Sequence, residues 1–400
     1  MSYYQLPRIY HTINPSNIKL KFISCENVPS INKSLSFYLN MVKQEIQYYI
    51  TDWDDVKKLT NPYEYIHTNM PHTKSAISKI KPISRSFFKM VEICNIFRLF
   101  NNFSTSPLQS FHLAEGPGGF IEALAYLRKN DADKYYGMTL IDSHNNKVPG
   151  WKKAEIFLQN NKNVHIEKGE DGTGNLYNPE NLKKCMQMHQ NSMDIITADG
   201  GFDFSIAFEK QENMAFRLIF SQIMFALTMQ KYKGHFILKV FDIFLRPTLE
   251  LIYLLSCFYE RVYMIKPNTS RSANSEKYIV CKYFKQSNTK EISEKLLAVS
   301  HVLNRLDWKT YHIESIINIP IQYYYVNQLA EYNAIFGQQQ MENIIKTMTL
   351  IERNNFHRDY MLQGKNSNIQ KCIQWCIKNN IPYNKNICPR NIFLGNINNK

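Results

Sequence analysis

The stretch Phe111–Leu124, FHLAEGPGGFIEAL, carries the clearest chemical signal in this 400-residue sequence. An apolar run leads into a glycine-proline turn and then an amphipathic run, which predicts a strand, a tight turn and a helix start. Glycines there let backbone approach a ligand, and Glu115 can hold a polar or cationic group. The stretch matches neither GxxxxGK[ST] nor GxGxxG, which disfavours ATP and dinucleotides. A nucleoside with a charged tail, such as S-adenosylmethionine, fits better; a purely structural turn is the alternative.

Two lysines and two acids elsewhere could form a catalytic group: Lys89, Asp199, Lys239 and Glu276. A lysine at the end of a buried strand has its pKa lowered by desolvation and by a second lysine, so it can accept a proton near neutral pH. Such a set suits deprotonation of an alcohol that attacks a methyl sulfonium, and it needs no metal because the leaving group is already cationic. Taken singly, Asp199 could be a helix cap, Glu276 a surface acid and Lys89 a solvated amine on a buried stem.

These residues need a scaffold, and the pattern from Phe111 onward supplies one. Short apolar segments alternate with helices, which predicts an α/β fold: a Rossmann-like, mostly parallel seven-stranded sheet with helices on both faces. Ligands of such sheets bind at the carboxyl ends of the strands. The predicted strands are 110–114, 135–141, 163–166, 193–198, 234–240, 260–265 and 277–283, and the helices lie near 119–129, 206–231 and 244–257. Polar residues at the strand ends include Glu115, Thr139, Asp142, Asp171 and Asp199.

The flanking segments have a different character. Residues 1–35 suggest an irregular leader, and Ser34–Leu59 predicts one long helix from apolar residues at helical spacing, namely Phe37, Met41, Ile46, Tyr49 and Ile50. A further helix over Ser84–Asn101 would carry Lys89. From about residue 290 the chain is mostly helical without a catalytic-looking cluster. The expected division is a helical lead-in at 1–80, a catalytic domain at 81–290 and a helical extension at 291–400.

Composition limits the class of protein. The formal net charge is +14 and the pI about 9.2, which favours a polyanionic partner, although an Asn- and Lys-rich coding bias gives a similar balance. No run approaches the ~18 apolar residues of a membrane span, and MSYYQLPRIYHT lacks the sections of a signal peptide. Eight scattered cysteines indicate a reducing compartment. For Cys372, Cys376 and Cys388, helical packing is the preferred interpretation and a zinc site the alternative.

Together these motifs resemble the FtsJ-like ribose 2′-O-methyltransferases, most closely the mRNA cap 2′-O-methyltransferases of eukaryotes and large DNA viruses. The resemblance covers Asn61 to about Tyr283, and its most specific part is the string SR-x-x-NSE-x-Y followed by VC. The matching segments are NPYE (61–64), FFKM (87–90), AEGPGGFIE (114–122), YGMTL (136–140), DGTGN (171–175), TADGGF (197–202), LKVFD (238–242) and KPNTSRSANSEKYIVCK (266–282).

The resemblance implies roles for particular residues. The family's catalytic Lys-Asp-Lys-Glu set corresponds to Lys89, Asp199, Lys239 and Glu276, with Lys239 as the base or as the group that steers the ribose 2′-hydroxyl. Residues implied for S-adenosylmethionine are Glu115, Gly116, Pro117, Gly118, Gly119, Phe120 and Thr139, with Asp171 for the adenine and Asp142 for the cofactor ribose. Those implied for RNA are Arg271, for a phosphate, and Ser272, Asn274 and Ser275, for the backbone.

The implied substrate is the capped 5′ end of mRNA, methylated on the first transcribed nucleotide, with other capping or transcription proteins as partners and no membrane. The expected location is the cytoplasm or nucleus, or a viral factory or virion. A 7-methylguanosine pocket usually needs aromatic faces, but aromatic residues are too abundant here for the sequence to indicate one. Two alternatives stay open: a ribose methyltransferase of ribosomal or transfer RNA, and a non-catalytic RNA-binding subunit on the same fold.

Overall fold

A computed structural model describes residues 3–70, 73–103, 106–142, 144–145, 148–201, 210–353 and 358–385, with backbone only for 358–363. Its strands are β1 (Tyr3–Gln5), β2 (Ile18–Ile23), β3 (Gln109–Leu113), β4 (Lys134–Met138), β5 (Val164–Ile166), β6 (Met193–Ala198), β7 (Gln230–Val240), β8 (Tyr259–Ile265), β9 (Lys277–Phe284) and β10 (His312–Ile317). Its helices are α1 (Lys33–Glu45), α2 (Ile50–Thr60), α3 (Ser86–Phe97), α4 (Gly119–Arg128), α5 (Glu155–Asn160), α6 (Pro179–His189), α7 (Gln211–Met229), α8 (Arg246–Phe258), α9 (Lys290–Arg305), α10 (Tyr323–Glu352) and α11 (Arg358–Lys378).

The main sheet confirms the predicted fold class. Its strand order is β1-β8-β9-β7-β6-β3-β4-β5. The last five strands in this order, β7, β6, β3, β4 and β5, run parallel to one another. All seven predicted strands are present, while the predicted helix over 206–231 begins at Gln211 and residues 202–209 lie outside the described part. An eighth strand comes from the leader, because Tyr3 pairs with Ile265 and Gln5 with Tyr263. The prediction of an irregular leader was therefore wrong at β1 and also at β2.

The crevice for a ligand follows from the order of the strands. β3 lies between β4 and β6, so the chain runs outward from β3 in one direction and then returns to its other side. Leu113 at the end of β3 pairs with Met138 of β4 and with Ala198 of β6. The loops that follow these strands leave in different directions, which opens a crevice at their carboxyl ends. The glycine loop and Asp199 start at this edge.

Both faces of the sheet are buried, which explains why apolar residues predominate in its central strands. Along β7, Phe236 and Leu238 enter a core shared with α7, α8 and α9, whereas Ile237 enters a second core shared with α3, α4 and α11. Alternate side chains of a strand point to opposite faces, so one strand supplies both cores. Removal of this apolar surface from water holds the layers together.

The terminal segments pack against each other as well as on the main sheet. β2 pairs with β10 in a separate two-stranded sheet, so the mostly helical extension also contributes a strand. The predicted helix over Ser34–Leu59 is two helices, α1 and α2, separated by a 3-10 turn at Ile46–Tyr49. The three-part division at residues 80 and 290 stays a prediction.

The spacing of apolar residues in Ser34–Leu59 did not indicate which face of helices α1 and α2 is buried. Phe37, Met41 and Ile50 are 62%, 48% and 71% exposed. Instead α1 buries Leu39 and Lys43, and the Lys43 Nζ atom lies 2.6 Å from an Asp242 carboxylate oxygen. The buried face of α1 therefore includes an ion pair formed across the fold, which local hydrophobicity does not show.

Other expectations concern cysteines and membranes. Cys372 and Cys376 are buried in α11, in agreement with helical packing, while Cys388 lies outside the described residues. Within the described part of the chain, no three His, Cys, Asp or Glu side chains are grouped so that they could hold a metal ion. No helix of the described residues has the length and apolar character needed to cross a membrane.

Candidate active site

A cavity of about 690 Å³ lies at the carboxyl ends of the strands. We call it the cleft. Its lining includes the four residues of the predicted catalytic set and part of the glycine loop, namely Lys89, Asp199, Lys239, Glu276, Glu115, Gly116 and Pro117. Helix α3, the ends of β3, β6 and β7, and the segment before β9 therefore contribute to one surface. The structure brings together side chains that are up to 187 positions apart in the sequence.

The four charged side chains form two ion pairs. The Lys89 Nζ atom lies 2.6 Å from Glu276 Oε1, and both side chains are at most 10% exposed. The Lys239 Nζ atom lies 3.2 Å from Asp199 Oδ1 and donates a hydrogen bond to the Asp199 carbonyl oxygen at 2.6 Å. Two positive and two negative charges balance, so none of them is buried without a partner. This balance matters because one unpaired buried charge is strongly destabilising.

Neighbouring hydroxyl groups fix the two carboxylates. Ser270 Oγ donates to Glu276 Oε1 at 2.7 Å, and the Tyr278 hydroxyl donates to Asp199 Oδ1 at 2.7 Å. Burial alone would raise the pKa of Glu276, but the charges of Lys89 and Lys239 outweigh burial and hold it well below its usual value. Glu276 is therefore an anion at neutral pH, and it can hold both lysines in place.

Lys89 owes its position to α3, whose residues are buried on most sides. Phe88 and Met90 beside it are 0% exposed, and Lys89 itself is 4% exposed. The alternative of a solvated amine on a buried stem is therefore wrong for this residue. Its ammonium group is directed inward because Glu276 supplies the opposite charge there.

The glycine loop is tightly packed where it leaves β3. A Cβ on Gly116 would come 2.5 Å from the Gly150 carbonyl oxygen, and one on Gly119 would come 2.3 Å from the hydroxyl oxygens of Ser84 and Ser86. Gly118 has φ +110°, which L side chains rarely adopt. Of the predicted cofactor residues, Gly118, Gly119 and Phe120 are not among those that line the cleft, and Phe120 is fully buried.

Glu115 lies at the floor of the cleft. Its Oε1 atom accepts a hydrogen bond from the Thr197 hydroxyl, and its Oε2 atom lies 3.4 Å from His112 Nδ1. Oε2 has no hydrogen-bond partner among the described residues. Burial raises the pKa of Glu115, and the nearby His112 opposes this effect. A cationic group in the cleft would stabilise the ionised carboxylate further.

Thr139, Asp142 and Asp171, the three cofactor-binding residues predicted after β4 and β5, do not all line one cavity. Thr139 lines the cleft, whereas Asp142 lines a neighbouring cavity of about 500 Å³ beside Trp151. The Asp142 carboxylate accepts hydrogen bonds from the backbone N–H groups of His144 and Asn145, at 2.9 and 3.2 Å. It therefore organises its own turn.

Asp171 is not among the residues that line the cleft either. Its carboxylate accepts hydrogen bonds from Thr173, Asn178 and Asn181. Burial alone would raise the pKa of Asp171, but these donors lower it to about 2. The turn that it holds contains residues 174–177, and those residues do line the cleft. Asp171 therefore supports the wall of the cleft indirectly, by holding the turn that lines it.

The predicted RNA-binding residues also have partners within the protein. Arg271 forms a two-pronged ion pair with Glu64 of the NPYE segment, with its Nη2 atom 2.7 Å from Glu64 Oε1. Ser275 is buried and donates to Gln211, whereas Ser272 is half-buried. Asn274 lines the cleft.

Sequence reasoning missed Lys266, which lies beneath the loop that carries these residues. Its Nζ atom donates to Asn274 O at 2.6 Å, Asn274 Oδ1 at 2.8 Å and Glu276 O at 2.9 Å. Burial and the charge of Lys277 lower the pKa of Lys266 to about 7. Lys266 thus fixes the loop from the inside, as Arg271 fixes it from the outside.

The sequence did contain a signal for most of the supporting residues. Lys266, Ser270 and Tyr278 all lie in or next to the string KPNTSRSANSEKY, and Glu64 lies in NPYE. Both segments are prominent in the resemblance. Their mutual contacts could not be inferred, because the Arg271–Glu64 pair joins residues 207 positions apart.

Comparisons with known proteins identify the family of the chain. A family model described as FtsJ-like methyltransferase matches residues 82–284, just over half of the chain. The chain is 30% identical over 317 residues to cap-specific mRNA (nucleoside-2′-O-)-methyltransferase 1 of Mus musculus, which covers 74% of this chain and 35% of that protein. It is 35% identical over 244 residues to the Homo sapiens protein of the same name, which covers 56% of this chain and 28% of that protein.

The chain is also similar to cap-specific mRNA (nucleoside-2′-O-)-methyltransferase 2 of Drosophila melanogaster. It is 29% identical over 258 residues, which covers 61% of this chain and 35% of that protein. The chain thus spans about a third of the length of these curated relatives. The matched segment holds the glycine loop and the whole charged group of the cleft, and the chain therefore belongs to the FtsJ-like methyltransferase family.

Proposed function

We propose that this protein transfers a methyl group from S-adenosylmethionine to the ribose 2′-hydroxyl of the first transcribed nucleotide of capped mRNA. One observation carries the proposal: the pairs Lys89–Glu276 and Lys239–Asp199 face the same cleft as the glycine loop. The curated relatives named above support the choice of substrate, since their names specify the cap and the 2′-oxygen.

The residues of the cleft fit the proposed methyl donor. S-adenosylmethionine, when bound, supplies a methyl group on a sulfonium sulfur that leaves as a neutral thioether. Its methionine part carries an ammonium group, and Glu115 Oε2 is a buried acceptor without a hydrogen-bond partner among the described residues. Gly116 and Pro117 line the cleft at the loop, and Thr139 together with residues 174–177 would line the nucleoside part. Asp142 and Asp171 would act only through the turns that they hold.

Lys239 is the residue that would act on the hydroxyl. It lies at the end of β7, is 11% exposed in its side chain, and is anchored by both the carbonyl and the carboxylate of Asp199. In this role Lys239 first releases a proton to solvent, and the neutral amine then holds the 2′-oxygen in line with the methyl carbon. It receives the hydroxyl proton as the oxygen–carbon bond forms and the carbon–sulfur bond breaks. Fixing the two reacting groups removes a large entropic barrier, and a positioned base typically contributes 10²–10⁴-fold.

The other three residues would set the charge around Lys239. Glu276 is anionic, and it interacts with both lysines, because the charges of Lys89 and Lys239 lower its pKa. Lys89 neutralises Glu276, so that Glu276 does not add an unbalanced negative charge to the cleft. Asp199 is oriented by Tyr278. The resting cleft would therefore present the alcohol with a preorganised set of charges that sums to zero before Lys239 loses its proton.

Transfer of a labelled methyl group to two matched short RNAs tests the proposal. One RNA carries a 7-methylguanosine cap and the other does not, and the product is digested to locate the label. Label on the 2′-oxygen of the first nucleotide, in capped RNA only, is the expected result. Label in both RNAs, or at internal positions, would instead assign the protein to the ribosomal or transfer RNA class. Cofactor binding without any transfer would favour a non-catalytic RNA-binding subunit.

A further inference from the structure

A second cavity, of about 510 Å³, opens beside the cleft. We call it the side groove. It is formed by the segment between NPYE and α3, with His67 at one end and Arg85 at the other, and Asn384 closes it from the C-terminal region. Ser84 and Arg85 line both the side groove and the cleft. The two cavities therefore adjoin at these two residues, and a long ligand in the cleft would extend toward the side groove past Arg85.

The side groove is positively charged. Lys79 and Lys81 are both exposed, Arg85 is half-buried, and no aspartate or glutamate is among the described residues that line the cavity. Such a surface favours an anion, and single-stranded RNA presents one charge per nucleotide along its backbone.

Within this positively charged surface, Arg85 is the residue best placed to bind an anion. Lys89, Lys239 and Arg271 each have a carboxylate partner. The Arg85 guanidinium group forms no hydrogen bond or ion pair within the described residues, and Glu276 and Glu64 act on it only through their charges. Burial is the main cause that lowers the pKa of Arg85, followed by the charge of Arg271. A half-buried guanidinium without a partner is stabilised when an anion binds, and phosphate oxygens suit its planar fork of donors.

The lining of the side groove favours a phosphate backbone over a base. No phenylalanine, tyrosine or tryptophan is among the described residues that form it. The one aromatic ring in this lining is that of His67, and it stacks on Phe88 with the ring centroids 6.4 Å apart. Its other polar side chains are the hydroxyls of Ser75, Ser78 and Ser84, the amides of Asn69 and Asn384, and the cations. Hydroxyls and cations are the usual phosphate contacts of nucleic-acid-binding proteins.

We propose that the side groove binds the phosphate backbone of the RNA on the 3′ side of the methylated nucleotide. The inference rests on the proposed function, because it takes capped RNA as the substrate in the cleft. Arg85 would hold a phosphate at the junction of the two cavities, and Lys81 and Lys79 would hold the following ones. Contacts outside the cleft would make affinity depend on RNA length.

The test compares the double variant Lys79→Ala/Lys81→Ala with Lys19→Ala/Lys21→Ala. Lys19 and Lys21 are also exposed, have the same spacing and lie in β2, which belongs to the separate two-stranded sheet. Both variants therefore lose two charges from the surface. Binding to each is measured with capped RNAs of about two and about 15 nucleotides over a range of salt concentrations. Thermal unfolding checks that both variants are folded.

We expect the side-groove variant to bind the longer RNA roughly tenfold more weakly near 0.1 M salt, with a logarithmic salt slope lower by about 1.4. Its affinity for the short RNA, and the control variant's affinity for both, should stay within about twofold of the unaltered protein. Equal losses for short and long RNA would place the cap or its triphosphate in the side groove and overturn the inference. Unchanged binding of the long RNA, or equal losses in the control variant, would overturn it as well.

The same RNAs distinguish this inference from the proposed function. If the unaltered protein transfers no methyl group to either capped RNA, the proposed function fails, whatever the variants bind. If it methylates both RNAs and only the longer one depends on Lys79 and Lys81, both proposals stand. If both capped RNAs are methylated but RNA binding depends neither on RNA length nor on these two lysines, the proposed function stands. The proposal that the side groove binds RNA is then wrong.

Discussion

At the scale of single residues, the cleft works as a neutral set of buried charges. Each carboxylate has a lysine and a hydroxyl group as partners, with Ser270 serving Glu276 and Tyr278 serving Asp199. Burying an ion is costly unless opposite charges and hydrogen bonds surround it. Each member therefore depends on the others, and truncation of one should change both the chemistry and the charge balance.

Lys239→Ala should lower kcat by about 10²–10⁴-fold, because it removes the proposed base and the anchor of the hydroxyl. Cofactor affinity should change by no more than a few-fold, since the glycine loop and Glu115 are unaltered. Single-turnover methyl transfer and calorimetric titration with the cofactor measure the two effects. Lys282→Ala is the control, because Lys282 pairs with His235 in the middle of β7 and does not line the cleft. Lost cofactor binding in a folded Lys239→Ala protein would contradict this division of roles.

Tyr278→Phe should lower kcat about tenfold with little change in KM, because Asp199 loses one donor and holds Lys239 less firmly. The ring stays, so the buried packing around it is kept. Tyr135→Phe is a matched control: its hydroxyl donates to Asp133 at 2.9 Å in an equally buried position, and it does not line the cleft. Both variants should lose similar stability in thermal unfolding. Equal kcat in both would mean that the Tyr278 hydroxyl has only a structural role.

At the scale of elements, the loop between β8 and β9 is held from two sides. Lys266 binds its carbonyl groups from within, and Arg271 ties its outer part to Glu64 at the start of the segment that leads to α3. Since α3 carries Lys89 and the loop carries Glu276, these contacts set the distance between the two members of the Lys89–Glu276 ion pair. The NPYE segment and the SR-x-x-NSE string therefore act as two halves of one clamp.

The clamp should make stability depend on pH. Burial alone would raise the pKa of Glu64, but Arg271 lowers it to about 2. The folded pKa is below the unfolded one, so the contribution is present in full above pH ~4.5 and lost as the pH falls toward about 2. Glu64→Gln should therefore lower the free energy of unfolding by about 2–3 kcal/mol at neutral pH, and by progressively less at lower pH. Urea unfolding at several pH values measures this.

An exposed carboxylate provides the comparison for that experiment. Glu294→Gln, on the surface of α9, should leave the free energy of unfolding nearly unchanged at every pH. A destabilisation by Glu64→Gln that stays constant from pH ~7 down to pH ~3 would show that packing, and not the ion pair, is lost.

The sequence predicted elements better than it predicted their contacts. The strand at Met193–Ala198 matches its predicted bounds, because an apolar run between turn residues is a local signal. Helices α1 and α2 were predicted as one, and the apolar residues taken as their face are exposed. Their orientation is set by α10 and by the Lys43–Asp242 pair, which lie far away in sequence. The charged set of the cleft was predicted, whereas Tyr278 and Lys266 were missed, since no local pattern reveals contacts between distant segments. The catalytic roles stay predictions.

At the scale of the whole molecule, the segments outside the family match are part of one core. β1 extends the main sheet, and β10 pairs with β2. Leu296 of α9, Ile316 of β10 and Tyr325 of α10 are 0% exposed and belong to the same hydrophobic cluster as the central strands. The extension therefore covers apolar surface that would otherwise face water, and we expect the catalytic domain to depend on it.

A chain that ends after residue 289 tests this dependence, because it keeps the whole family match and removes α9, β10, α10 and α11. Each large apolar side chain withdrawn from the core costs about 1.5–3 kcal/mol, so the loss of several exceeds the total stability of an ordinary domain. We expect the shortened chain to be unfolded or aggregated by circular dichroism and limited proteolysis. A chain that ends after residue 385 keeps every described residue and should unfold at nearly the same temperature as the full chain. A folded chain of 289 residues that binds S-adenosylmethionine would instead show that the core holds without its extension, and that residues 291–400 serve another purpose.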